Sequence, residues 1–195
     1  MIMKDWKKEI LTIPNMLSLF RLILIPVYVL IYLNASVPVH YYIAGGILAV
    51  SCLTDLLDGK IARHFNMVST VGKVLDPFAD KATQFTLILC LAIRYPVLWL
   101  IVGLFVIKES FQLIAGLLTL RQGKMLTGAL FSGKLCTVVL FLSLILLVLL
   151  PELQSQIVII IAAIDGVFML IAFADYIRTY TKRTAMIQKL DADAS

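Results

Sequence analysis

Apolar residues fill this chain in long blocks separated by short polar stretches. The blocks lie near Asn15–Leu33, Tyr42–Leu57, Gly72–Ile93, Val97–Leu120, Leu126–Leu150 and Ile157–Tyr176. Coiled as helices, about six such runs suffice to cross a hydrocarbon layer of roughly 30 Å. The pattern predicts an all-α integral membrane protein with about six transmembrane helices. The opening M-I-M-K-D-W-K-K-E-I-L differs, because Ile2, Met3, Trp6, Ile10 and Leu11 alternate with Lys4, Lys7 and Lys8. It is too short and too charged to span, and it lacks the apolar core and cleavage site of a signal peptide. An interfacial amphipathic helix is expected, with Trp6 at headgroup depth. The organisation that follows is an interfacial helix over 1–12, a transmembrane domain over 13–180 and a cytoplasmic tail over 181–195, with no convincing internal repeat.

Composition sharpens this picture. The chain is 195 residues long, 61% hydrophobic and only 15% charged. A soluble domain cannot hide that much apolar surface, and no length is left for a separate soluble domain. Cations gather at one set of block ends. Lys4, Lys7 and Lys8 precede the first block, Lys60 and Arg63 follow the second, Arg121 and Lys124 follow the fourth, and Arg178, Lys182, Arg183 and Lys189 follow the sixth. Arg94 is the exception. By the positive-inside rule both termini and the loop between the second and third blocks face the cytoplasm of a multi-pass cell-membrane protein. The net charge of +5 then belongs to an anionic leaflet surface and calls for no nucleic-acid partner. Cys52, Cys90 and Cys136 lie inside apolar runs without metal-ligand spacing, so they read as buried small hydrophobes. His40, placed in a loop, and His64, beside Arg63, have no ligand spacing either.

The chemistry concentrates between Asp55 and Asp80, in D-L-L-D-G-K-I-A-R-H-F-N-M-V-S-T-V-G-K-V-L-D-P-F-A-D. Asp55 and Asp58 are three apart, Asp76 and Asp80 four apart, so on helices each pair shares a face. Carboxylates are costly in lipid-embedded segments, and four together need compensation. A hard divalent cation, Mg²⁺ or Mn²⁺, takes oxygen ligands and keeps positions open for phosphate. Between the pairs lie Gly59, Ala62, Arg63, Ser69 and Gly72: small residues, a hydroxyl and one fixed cation. Two blocks joined by a short loop put all four acids at similar depth on one membrane face. The inventory points to a metal-dependent site that handles a phosphoanhydride at a membrane surface.

Other polar residues fall inside the blocks. Pro14 suits a first helical turn, Asn15 places an amide at the mouth of the first block, and Arg21 lies nearly two turns deeper. Lys108 and Glu109 are adjacent, point in different directions and are expected to need different neighbours, with Lys134 or Arg21 as candidate partners for Glu109. Asp165 has no obvious local partner.

The run from Asp55 to Asp80 resembles the CDP-alcohol phosphatidyltransferase family, whose signature is D-x2-D-G-x2-A-R-x8-G-x3-D-x3-D. Asp55, Asp58, Gly59, Ala62, Arg63, Gly72, Asp76 and Asp80 match every position and gap. Members of that family transfer a phosphatidyl or related group from a CDP-activated donor to an alcohol and release CMP. The resemblance implies that Asp55, Asp58, Asp76 and Asp80 hold two divalent ions, Mg²⁺ or Mn²⁺, and that Asp80 is also the general base. It implies contacts to CDP-diacylglycerol from Asn15, Gly59, Ala62, Arg63, Ser69 and Gly72, and a homodimer.

The opening I-P-N-M-L-S-L-F-R-L-I-L-I-P and Ala79-Asp80-Lys81 look like the branch that accepts glycerol 3-phosphate. F-V-I-K-E-S-F and S-G-K-L-C-T resemble the same branch, where an Arg-Glu pair is usual and this chain carries Lys108-Glu109. C-L-T-D-L-L-D-G also looks like the cardiolipin-forming branch, whose acceptor is phosphatidylglycerol. Arg21, Lys108, Arg121 and Lys134 are the acceptor-pocket candidates. The competing class is a cation transporter, since intramembrane acids mark ion pathways. A permeating cation gains nothing from Arg63 fixed beside the acids, whereas a diphosphate does, and no inverted repeat points to transport.

Overall fold

The computed structural model describes residues 12–64, 72–121 and 131–193. They form six helices: α1 (Ile13–Leu33), α2 (Pro38–His64), α3 (Gly72–Arg94), α4 (Leu98–Arg121), α5 (Phe131–Leu149) and α6 (Ser155–Asp193). Among the described residues there is no strand. Four helices are long and apolar enough to cross a membrane: α1, α4 over Leu98–Leu118, α5, and α6 over Ser155–Thr181. Pro38–Thr54 of α2 is apolar but shorter. The first turns of α3 carry Lys73, Asp76, Asp80 and Lys81, too many charges for an ordinary span. The expected amphipathic helix at the N-terminus lies outside the described residues.

Element boundaries follow local chemistry. Pro14 sits in the first turn of α1, where the missing N–H costs nothing, and the helix continues through Pro26. Asn34 ends it, its side-chain amide donating to the Leu30 carbonyl at 2.7 Å. His40 belongs to the first turn of α2 rather than to a loop, and its Nδ1 accepts from the Ser36 backbone N–H at 3.3 Å. Two helices outrun the expectation. α2 extends past Asp58-Gly59 to His64, since one glycine costs about 1 kcal/mol and the following residues are good helix formers. α6 continues past residue 180 to Asp193, through a stretch with neither Gly nor Pro.

The chain divides into two compact units, Met1–Arg94 with Leu144–Leu153, and Tyr95–Ser143 with Gln154–Ser195. In the first, α1 packs on α2 and α3. Ala44, Leu48, Ala79, Leu87, Ile88 and Leu91 form its core with Leu144, Leu147 and Val148. Gly45 lets Leu149 close in: a Cβ there would stand 2.5 Å from Leu149 Cδ2. An aromatic ladder joins the helices, Tyr28 stacked on Tyr32 and Tyr32 edge-on to Tyr41, each at 5.5 Å between centroids. Arg94 caps it, 4.7 Å from the Tyr41 ring centre, donating to the Tyr41 hydroxyl and to the Pro151 carbonyl. This cation is the exception to the charge asymmetry, and it is occupied in holding helix ends together.

In the second unit α4 packs on α6 around Leu98, Ile101, Phe105, Val158, Met169 and Ala172. Phe111 meets Phe173 edge-on at 5.4 Å. Its buried charges have near partners, although Asp165 Oδ2 is buried with no hydrogen bond among the described residues. Lys108, 5% exposed, places Nζ 2.7 Å from Glu109 Oε1. The expectation that these neighbours need different partners is therefore corrected: the four-carbon lysine stem swings its ammonium across to the adjacent carboxylate. Asp165, 1% exposed, accepts from the Ser143 hydroxyl at 2.9 Å, which links α6 to α5.

Candidate active site

On a membrane-spanning helix the apolar face ordinarily turns outward to lipid, and α1 follows this strictly. Ile13, Met16, Phe20, Ile23, Val27 and Leu30 recur at helical spacing and are all exposed. The opposite face turns inward and is polar at its start: Pro14, Asn15, Ser18 and Arg21 are all buried. Burying an amide, a hydroxyl and a guanidinium is costly unless other groups meet them. Ser18 meets α3, which packs against this helix.

On α3 the four-residue spacing puts Asp76 and Asp80 on one face, both half-buried, with Thr83 and Gln84 buried one turn further on. Ser18 Oγ donates to Asp76 Oδ1. Arg21 Nη2 in turn donates to Ser18 Oγ at 3.3 Å. Asp76 Oδ2 has no hydrogen-bond partner among the described residues. Gln84 Nε2 lies 3.3 and 3.4 Å from the two oxygens of Asp80. Thr83 is turned back onto its own helix, donating to the Ala79 carbonyl at 2.8 Å. A small cleft beside Arg21 is lined by Leu24, Tyr28, Leu48, Ser51, Thr83 and Leu87, among others.

Of the sequence-predicted residues, the structure brings together Asn15, Arg21, Asp76 and Asp80 on facing helices of one unit, and buries Gly72 at the start of α3. Asp55, Asp58, Gly59, Ala62 and Arg63 fall within α2, so the three-residue spacing of the first two is a helical one. Their side chains, and Ser69 altogether, lie outside the described residues. Among the acceptor-pocket candidates, Arg21 belongs to the first unit, while Lys108 and Lys134 belong to the second. Lys134 is exposed, and Arg121 ends α4 with its side chain outside the described residues. Sequence reasoning missed Ser18 and Gln84. The signal was available: Ser18 stands midway between Asn15 and Arg21 at three-residue steps, and Gln84 is four residues beyond Asp80.

The donor set suits a hard divalent cation. Carboxylate oxygens at four-residue spacing, one of them with no hydrogen-bond partner among the described residues, match what Mg²⁺ or Mn²⁺ takes. Among the described residues no three His, Cys, Asp or Glu side chains converge.

The sequence pattern of one known family, CDP-alcohol phosphatidyltransferase, matches residues 11–174. The chain belongs to that family. Divalent-metal dependence is general in it. A Mycobacterium tuberculosis protein named probable phosphatidylglycerophosphate synthase is 30% identical over 135 residues, covering 68% of this chain and 64% of that protein. A Streptomyces coelicolor protein named cardiolipin synthase (CMP-forming) is 34% identical over 132 residues, 66% of this chain and 61% of that protein. A Schizosaccharomyces pombe cardiolipin synthase and mitochondrial hydrolase fusion protein is 38% identical over 95 residues, 48% of this chain and 15% of that protein. The chain thus spans less than two thirds of the length of these relatives. As a family member, it has Asp76 and Asp80 in the last two signature positions, and Asp76 meets the polar face of α1 through Ser18.

Proposed function

We propose that this protein transfers a phosphatidyl group from CDP-diacylglycerol to glycerol 3-phosphate and releases CMP, at the cytoplasmic face of the cell membrane. The observation that carries the reading is the bond of Asp76 to a buried polar face of α1, with Asp80 one turn along, inside a chain with the complete family signature. Asp55, Asp58, Asp76 and Asp80 are the residues that would hold two divalent ions, Mg²⁺ or Mn²⁺. Those ions, when bound, supply charge neutralisation of the diphosphate and of the departing CMP.

The chain's own residues do the rest. Arg63 offers a planar fork of donors to the donor diphosphate. Gly59 and Gly72 lack side chains where the nucleotide must come close to backbone. Asn15, with Ala62 and Ser69, completes the CDP contacts. Asp80 takes the proton from the acceptor hydroxyl, and Gln84, donating to its oxygens, keeps the carboxylate turned to that task. Lys108, Lys134, Arg121 and Arg21 are assigned to attracting the acceptor phosphate. Six membrane spans, with α2 and α3 completing the four apolar ones, an interfacial helix at the N-terminus and a homodimer belong to the same reading.

The second reading is a cardiolipin synthase that takes phosphatidylglycerol as acceptor, favoured by the names of several relatives. CMP release by purified protein in detergent, with CDP-diacylglycerol and Mg²⁺, separates the two. Stimulation by glycerol 3-phosphate alone supports the first reading, and stimulation by phosphatidylglycerol alone supports the second. No release with either, and no binding of the CDP-lipid, would sink both and return the transporter class.

A further inference from the structure

Ser18 is 0% exposed, and a serine so placed has an easy alternative to a cross-helix bond. Its hydroxyl lies 3.2 Å from the Pro14 carbonyl, four residues back on its own helix, which is how a serine in an apolar helix usually satisfies itself. Here the same oxygen also meets Asp76 of α3 and receives Arg21 Nη2. A hydroxyl has one proton to give and lone pairs to receive with. The donor-consistent arrangement runs one way, from the Arg21 N–H to the Ser18 oxygen and from the Ser18 O–H to Asp76 Oδ1.

We propose that Ser18, backed by Arg21, is the positioning residue of Asp76: it holds Oδ1 so that Oδ2 faces a bound divalent cation. This rests on the transferase reading of the same site and adds a role that neither the signature nor its spacing contains. Three features support it. The contact joins two helices that pack on each other, so it fixes the carboxylate against α1 and not merely against its own backbone. Arg21 is 2% exposed, so its charge is little screened by water and polarises the Ser18 hydroxyl towards Asp76. And Asp76 has its second oxygen without a hydrogen bond among the described residues, as a carboxylate poised for a metal requires. Arg21 Nη2 reaches the Ser18 oxygen, so this part of its effect on Asp76 passes through Ser18.

Groups that orient a ligating carboxylate characteristically change metal affinity or activity by about 10–100-fold when removed. The test uses the full chain in detergent and two readouts: Mn²⁺ affinity from the free-ion electron paramagnetic resonance signal, and the Mn²⁺ dependence of CMP release. Ser18→Ala is expected to weaken Mn²⁺ binding by about tenfold or more and to shift the activation curve to higher Mn²⁺ in parallel. Its KM for CDP-diacylglycerol at saturating Mn²⁺ should stay near that of the wild type. Ser18→Thr, which keeps the hydroxyl, should restore affinity, and Arg21→Gln should fall between Ser18→Ala and wild type.

Wild-type Mn²⁺ affinity in Ser18→Ala overturns the proposal, as does equal damage in Ser18→Thr and Ser18→Ala. If Ser18→Ala does not give folded protein, judged by size-exclusion profile and thermal midpoint, Arg21→Gln and Arg21→Lys decide: unchanged Mn²⁺ affinity in both overturns it. Failure of the transferase reading looks different. A wild-type chain that binds Mn²⁺ but neither binds CDP-diacylglycerol nor releases CMP refutes that reading while leaving the serine comparison interpretable.

Discussion

The two units of the molecule bury polar groups in contrasting ways. In the second, Lys108 pairs with its neighbour Glu109, and Asp165 takes a hydrogen bond from Ser143 one helix away through Oδ1, while its Oδ2 is buried without one among the described residues. In the first, Arg21, Ser18 and Asp76 form an open-ended chain, and Asp80 is held by Gln84 alongside it. Burial of charge costs several kcal/mol per ion unless it is met. The first unit differs in its series: a buried arginine, a buried serine and a carboxylate of the family signature are joined across two helices, with a second signature carboxylate one turn along.

The contrast can be broken, beginning with the largest effect. Asp80→Asn should lower CMP release by about 10²–10⁴-fold, the usual contribution of a general base, while the thermal midpoint barely moves. A variant that turns over like wild type would remove Asp80 from the reaction. In the second unit the order of effects should reverse. Glu109→Gln leaves a buried lysine without its counter-charge and should cost about 3–5 kcal/mol of stability, read as a lowered unfolding midpoint in detergent. The double change Lys108→Met with Glu109→Met should recover most of that loss. If the double variant is as unstable as the single one, the pair is more than a closed ion pair. Such a result would favour Lys108 as an acceptor ligand.

Smaller effects sharpen the comparison further. Ser143→Ala removes the donor to Asp165 and should cost about 0.6–2 kcal/mol, the range found for side-chain hydrogen bonds between membrane helices. Asp165→Asn should be milder, since an amide oxygen still accepts from Ser143. Activity at fixed protein folding should be unaffected by either, and a loss of CMP release without a loss of stability would move Asp165 into the catalytic machinery. The smallest test concerns packing alone. Gly45→Ala pushes on the end of Leu149 and should destabilise by about 1 kcal/mol, within the usual overpacking range, whereas Gly46→Ala, with nothing within 4 Å, should stabilise by up to about 1 kcal/mol.

Much of this was readable in the chain. The apolar blocks located α1, α4 and the apolar part of α6 to within a few residues, because lipid tolerates only helices with satisfied backbones and long runs of apolar side chains. The eight signature positions named the family on spacing alone. The limits of α2 and α6 were less legible: polar residues following an apolar block end a span but do not end a helix. The Lys108–Glu109 pair was also misread, since side-chain direction at Cβ says little about where a long flexible ammonium finishes.

What the sequence by itself determined is the membrane character, the helical class, the family and the two aspartates on one face of α3. Each depends on local spacing or on composition, and both are written along the chain. What only the tertiary structure decided is which groups answer those aspartates. Ser18 and Asp76 are 58 positions apart, and nothing in either neighbourhood names the other. Their meeting depends on the packing of α1 against α3, which turns one polar face towards the other because neither can face lipid without losing its hydrogen bonds.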